Sequence, residues 1–167
     1  MFLGTGKLEI RLMRADGTKV ETIVPARPSE RVYQDFDPVV TTLPANSFGR
    51  VREIVTGYQF RAVYRWISTS HNQTDMAAVQ KIGNWRRIDE DRYIELWPHE
   101  DQPQIHVRCE VIRHTQTPLS GKVTADVIEL ELLGLDTVER KPNPLLDRVS
   151  KLHRRGSVNT TARVFGS

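Results

Sequence analysis

Cysteine is almost missing from this chain: Cys109 is the only one in 167 residues. An internal disulfide is therefore excluded, and no pair of thiolates exists to hold a structural zinc. Long apolar runs are missing too. Phe2 and Leu3 are followed at once by Gly4, Thr5 and Gly6, so neither a signal peptide nor a membrane span is expected and the chain reads as soluble. No Gly-x-Ser-x-Gly elbow occurs, and the glycines form neither a phosphate loop nor a dinucleotide fingerprint; Gly4 and Gly6 make only a Gly-x-Gly fragment with no strand before it. Internal repeats and low-complexity tracts are likewise lacking. These absences leave an enzyme reading without a residue to rest on. No catalysis, cofactor, metal or small-molecule substrate is expected.

What is present fits a globular protein: 38% of residues are hydrophobic and 27% charged, a balance that can close a core. The length suits one domain. Net charge is only +3, but residues 140–167 hold seven basic side chains against the single acid Asp147, which leaves residues 1–139 mildly acidic. The division expected is a β-rich domain over 1–139 and a basic C-terminal arm over 140–167. A basic arm on an acidic body weakens the usual inference from basicity to nucleic acid.

Period-two alternation dominates the domain and predicts strands with one face in the core. The longest run covers 52–67. Ile54, Thr56, Tyr58, Phe60, Ala62, Tyr64 and Trp66 share one parity, while Glu53, Gln59, Arg61 and Arg65 share the other. At about 3.3 Å per residue such a strand approaches 50 Å, so Gly57 is a natural place for a bulge. Further strands are expected over 104–114, 124–133, 8–13, 20–24 and 93–97. Asp16-Gly17 between two of them suits a tight hairpin turn. Met76, Val79 and Ile82 mark a helix over 73–82, capped by Asn72 or Thr74, ended by Gly83 and lying on the sheet.

Residues 25–50 break this regularity with Pro25, Pro28, Pro38 and Pro44. A long loop or extended segment is expected there. Loops of that length usually serve a function, and Val39 and Phe48 are its contact candidates. In the basic arm, Leu145, Leu146, Val149 and Leu152 add an apolar period compatible with a docked helix near 144–153. Together with Arg140, Lys141, Lys151, Arg154 and Arg155 they form a second set of contact candidates.

Side chains able to do chemistry are scattered. His99, Glu100, Asp101, His106 and His114 fall in one region, yet His106 and His114, of like parity, stand eight residues apart, too far for one ion without a sharp bend. The acids at 89–91 and 100–101 fall where turns are expected. Cys109 alternates with apolar residues and reads as core. A nucleic-acid-binding β-barrel that uses the basic arm is the alternative function; against it, the aromatic and arginine side chains of 52–67 lie on opposite faces and cannot stack bases and neutralise phosphates together.

The order of elements resembles phage tail-tube and distal-tail proteins. The features that carry it are the N-terminal hairpin, the proline-broken excursion, Gly57-Tyr58-Gln59-Phe60-Arg61-Ala62-Val63-Tyr64-Arg65-Trp66, the helix with Met76 and Val79, Ile94-Glu95-Leu96-Trp97-Pro98-His99-Glu100-Asp101, and the closing stretch 127–135. The resemblance implies a mainly β fold, a β-sandwich or partly closed β-barrel with one α-helix on the sheet and an extended C-terminal arm. It also implies a virion-tail protein assembled in the host cytoplasm, forming a homo-oligomeric ring, commonly a hexamer in that family. Its partners would be itself and other tail proteins, and its lumen would pass DNA.

Overall fold

The alternating segments form one antiparallel sheet in the computed structural model, which describes residues 7–46, 48–85, 91–100, 102–119, 121 and 124–139. In chain order the elements are β1 (Glu9–Met13), β2 (Lys19–Ile23), β3 (Glu30–Leu43), β4 (Arg52–Ser68), α1 (Gln73–Gly83), β5 (Tyr93–Trp97), β6 (Val107–Pro118) and β7 (Asp126–Val138). Their spatial order is β2-β1-β5-β6-β7-β4-β3. The mainly β expectation with one helix holds. The strands form one seven-stranded sheet that is not closed into a barrel, with β2 and β3 at its edges among the described residues.

Between β1 and β2 the predicted hairpin turns at Gly17, whose φ is +85°. The Asp16 side chain accepts the Thr18 backbone N–H at 2.9 Å, and that hydrogen bond holds its carboxyl below the ordinary range. Although β2 and β3 are consecutive in the chain, they form the two edges of the sheet. In a flat sheet the edges would stand about 29 Å apart, yet the six residues 24–29 that join them reach at most about 25 Å. The sheet therefore has to curl. Trp66 seals the resulting seam by donating its indole N–H to the Ala26 carbonyl at 2.8 Å.

Curling turns one face inward. Ile10, Leu12, Phe60, Tyr64, Trp66, Ile94, Leu96, Cys109, Ile128, Leu130 and Leu132 are buried there with Met76, Val79 and Ile82 of α1. Each large side chain so buried contributes about 1.5–3 kcal/mol, so this face supplies the main stabilising term. The opposite face carries paired charges, Arg61 with Glu131 at 2.8 Å and Arg65 with Glu129 at 2.6 Å.

Of the loop or extended segment expected over 25–50, the extended form holds at its centre, which is the 14-residue strand β3. Prolines misled because an edge strand bonds on one side only and tolerates a residue without an N–H. Pro38 sits on that edge, paired with Tyr58, and Pro25, Pro28 and Pro44 lie outside the strand. The helix cap also differs. Asn72 makes no side-chain bond to the helix; it accepts the Thr69 N–H at 2.7 Å and donates to the Ile67 carbonyl at 2.8 Å, fixing the turn out of β4.

Gly83 is the last helical residue, and its importance lies in space. A β-carbon there would stand 2.4 Å from the His114 ring. His114 reaches the helix because Ile112 is an extra residue in β6, between the pairs Val111↔Leu132 and Arg113↔Glu131. The bulge exchanges the faces of β6, so His106 and His114, of equal parity in the sequence, point to opposite sides. Gly83→Ala gains about 1 kcal/mol of helix propensity and loses about 1–3 kcal/mol to overpacking. We expect a net destabilisation of up to about 2 kcal/mol in urea unfolding. In a His114→Ala background the same change should be neutral or stabilising.

Candidate functional site

Strand β4 has 17 residues and is longer than its neighbour on the β7 side can cover. Pairing with β7 runs from Ser68↔Asp126 to Tyr58↔Val138 and stops. Beyond that point, among the described residues, β4 keeps only β3, through Val40↔Val55, Thr41↔Ile54, Thr42↔Glu53 and Leu43↔Arg52. The outer parts of β3 and β4 thus leave the sheet as a two-stranded arm. From Gly57 to Arg52 it projects about 17 Å.

Gly57 stands where the arm departs. A β-carbon there would lie 3.1 Å from the Val138 carbonyl oxygen, so glycine lets the last residue of β7 close against β4. Next to it Thr56 is the extra residue between Val39↔Gly57 and Val40↔Val55, the bulge expected near Gly57. The Thr56 hydroxyl donates to the Val39 carbonyl at 3.2 Å and so pins the bulge. At the tip, Asn46 Oδ1 accepts the backbone N–H groups of Phe48 and Arg50, each at 3.0 Å. Gly49 completes the turn with φ +71°, and this Asn/Gly turn holds Phe48 outward.

The side chains on this arm are the reverse of the sheet's packed interior. Phe48 is 85% exposed and Val51 60%, and Val40, Ile54 and Val55 are exposed as well. Among its described residues no ion pair is formed. Chemically, it offers backbone hydrogen-bonding edges and apolar side chains, which suits contact with another polypeptide.

Of the contact candidates from the sequence, Val39 lies at the base of the arm opposite Gly57 and Phe48 at its tip. The structure brings these two onto one element. Arg140, Lys141, Leu145, Leu146, Val149, Lys151, Leu152, Arg154 and Arg155 lie outside the described residues, as does the helix expected near 144–153. Val40, Val51, Ile54 and Val55 were missed. Their signal was the length of the 52–67 run, which no other predicted strand could match.

Residues that suggested chemistry do not converge. His106 stacks on Trp97, with ring centres 4.2 Å apart, and Arg11 covers the same indole at 4.4 Å. Cys109 is buried, and burial pushes its thiol well above the ordinary range. Among the described residues no three histidine, cysteine or carboxylate side chains are grouped to hold a metal, and no helix is long and apolar enough to cross a membrane. The aromatic side chains of β4 that could have stacked bases, Phe60, Tyr64 and Trp66, are buried.

No protein-family model matches the sequence, and no curated protein matches it. Among solved structures the chain is similar to the sheath/tube terminator of an extracellular contractile injection system, PVC, seen by cryo-EM in its extended state. The likeness covers 83% of this chain and 96% of that one at 9% identity, with a TM-score of 0.41. At that identity and score it carries no argument about function.

Because the apolar side chains of the arm are exposed among the described residues, changing them should not unfold the protein. Phe48→Ser and Ile54→Lys are each expected to shift the unfolding free energy by no more than about 0.5 kcal/mol. Trp66→Ala, in the seam, should cost about 3–5 kcal/mol. Urea titration followed by tryptophan fluorescence for the arm variants, and by circular dichroism for Trp66→Ala, measures both.

Proposed function

We propose that this chain is a structural subunit of a phage-type tail, acting through protein contacts and not by catalysis. The observation that carries the reading is the β3–β4 arm. A two-stranded ribbon is marginally stable alone in water, and this one exposes Phe48, Val51, Val40, Ile54 and Val55. A neighbouring chain that pairs with its edge or covers its apolar side chains removes both costs at once.

The layout supports the tail in particular: an N-terminal hairpin, a crossing to a long edge strand, a longer strand, a helix across the sheet, and strands that return to complete it. Assembly proceeds by copies joining edge to edge in a closed ring, with the arm reaching an adjacent copy or tail protein and DNA passing through the lumen. The basic segment 140–167 supplies further contact to acidic surfaces.

Light scattering behind size-exclusion chromatography should give a mass several-fold above the protomer's, and negative-stain images should contain rings or tubes. Ile54→Lys combined with Phe48→Ser should return the protein to monomer while leaving its unfolding midpoint in place. A wild-type chain that stays strictly monomeric at high concentration and binds no other tail protein overturns the proposal. Binding to DNA that falls steeply with salt and disappears on removal of residues 140–167 would instead favour the nucleic-acid reading.

A further inference from the structure

The segment after β5 is tied to β3 across the open side of the sheet by a buried polar network. Gln34, His99 and Tyr64 are all essentially inaccessible to solvent. Arg31 Nη1 donates to Gln34 Oε1 at 2.9 Å and to the Pro98 carbonyl at 3.0 Å. The Tyr64 hydroxyl donates to the same Gln34 oxygen. On its other side Gln34 Nε2 stands 2.8 Å from His99 Nε2.

These contacts fix the protonation of His99 by elimination. A guanidinium only donates, so the Gln34 atom facing Arg31 is the oxygen and the atom facing His99 is the amide nitrogen. An amide NH2 also only donates. His99 Nε2 is therefore an acceptor, and the ring is neutral with its proton on Nδ1. Protonating Nε2 would set N–H against N–H in a site closed to water, one residue from the Pro98 carbonyl that already holds a guanidinium.

We propose that His99 is an acid-sensitive latch between β3 and the segment following β5. Neutral imidazole closes it, and protonation opens it. The other groups around the network keep their charge. Arg31 stays cationic; burial raises Tyr64 far above its ordinary range; and Cys109 of β6, which acts on Tyr64, is also held neutral by burial. Lys7 and Glu100 border the segment and are exposed, and Asp101 lies outside the described residues. The open state binds one proton more than the closed one, so acid favours opening below the pH of about 6.5 at which a free imidazole titrates. Opening unclasps the inner half of the strand whose outer half forms the arm.

Nitrogen-15 NMR of the histidine rings at pH 7.5 should find His99 as the neutral Nδ1–H tautomer. The latch amides of Glu100 and Gln102, which donate to the carbonyls of Lys7 and His99, should exchange faster as pH falls. After correction for intrinsic rates, the acceleration should approach tenfold per pH unit below about 6.5. His99→Gln keeps an acceptor but does not titrate and should abolish that dependence, whereas Asp101→Asn should preserve it. An Nε2–H or cationic ring at pH 7.5 overturns the proposal. So does exchange that is flat with pH in the unmodified protein, or a dependence that survives His99→Gln and vanishes in Asp101→Asn. The ring spectrum uses the unmodified chain, so the test stands even where a variant fails to fold.

Discussion

Six residues have to join the two edges of a seven-stranded sheet, and most of the architecture follows from that constraint. A flat sheet would be too wide for the link, so the sheet curls and its concave face becomes an interior. Helix α1 then lies over part of that face with Met76, Val79 and Ile82 buried. Trp66 reaches the link itself through the Ala26 carbonyl. The same curling brings β3 within reach of Pro98 and His99, which creates the buried Gln34 network. Seam, core and latch are thus consequences of one short connection.

A second feature is length. Among the described residues β7 pairs with β4 as far as Val138, opposite Tyr58. β3 and β4 continue because their own sequences favour strand beyond that limit: Val40 and Thr41 face Val55 and Ile54, β-branched residues suited to pairing. In the body of the sheet such residues would be core. On the arm no third strand or helix covers them among the described residues, and Val40, Ile54 and Val55 are exposed.

Much of this was legible in the sequence because period two is a local signal. The strands over 52–67 and 93–97, the Asp16-Gly17 hairpin and the helix over 73–82 all depend on neighbours in the chain. What was hidden depends on pairing. Pro38 reads as a breaker until its strand is known to be an edge, and parity cannot be carried across Ile112, where one extra residue in β6 reverses the faces of His106 and His114. The arm illustrates the same limit. Val39 and Phe48 stood out as contacts in a presumed loop, whereas Ile54 was hidden in the parity of Phe60 and Trp66. The bulge at Thr56 and the end of β7 separate the two sets, and neither can be read from alternation. The Gln34 and His99 contact spans 65 positions, so no local pattern could reveal it.

Edge strands are a hazard in any sheet protein, and this chain treats its edges unequally. The short edge β2 carries Lys19 and Glu21. The inner half of β3 carries Glu30, Arg31, Asp35, Asp37 and Pro38, charges and a proline of the kind that discourage a strand from pairing with a stranger. Tyr33 is tied back to Asp37 by its hydroxyl, and that hydrogen bond raises its phenol to about 12. The guard ends at Pro38. From Val39 to Leu43 the strand reads Val-Val-Thr-Thr-Leu, with no charge and no proline. A chain whose arm were merely an overlong hairpin would have the same reason to guard it as to guard the inner half. Protection along one half of the strand and its omission along the other are the physical asymmetry on which the proposed contact role of the arm rests.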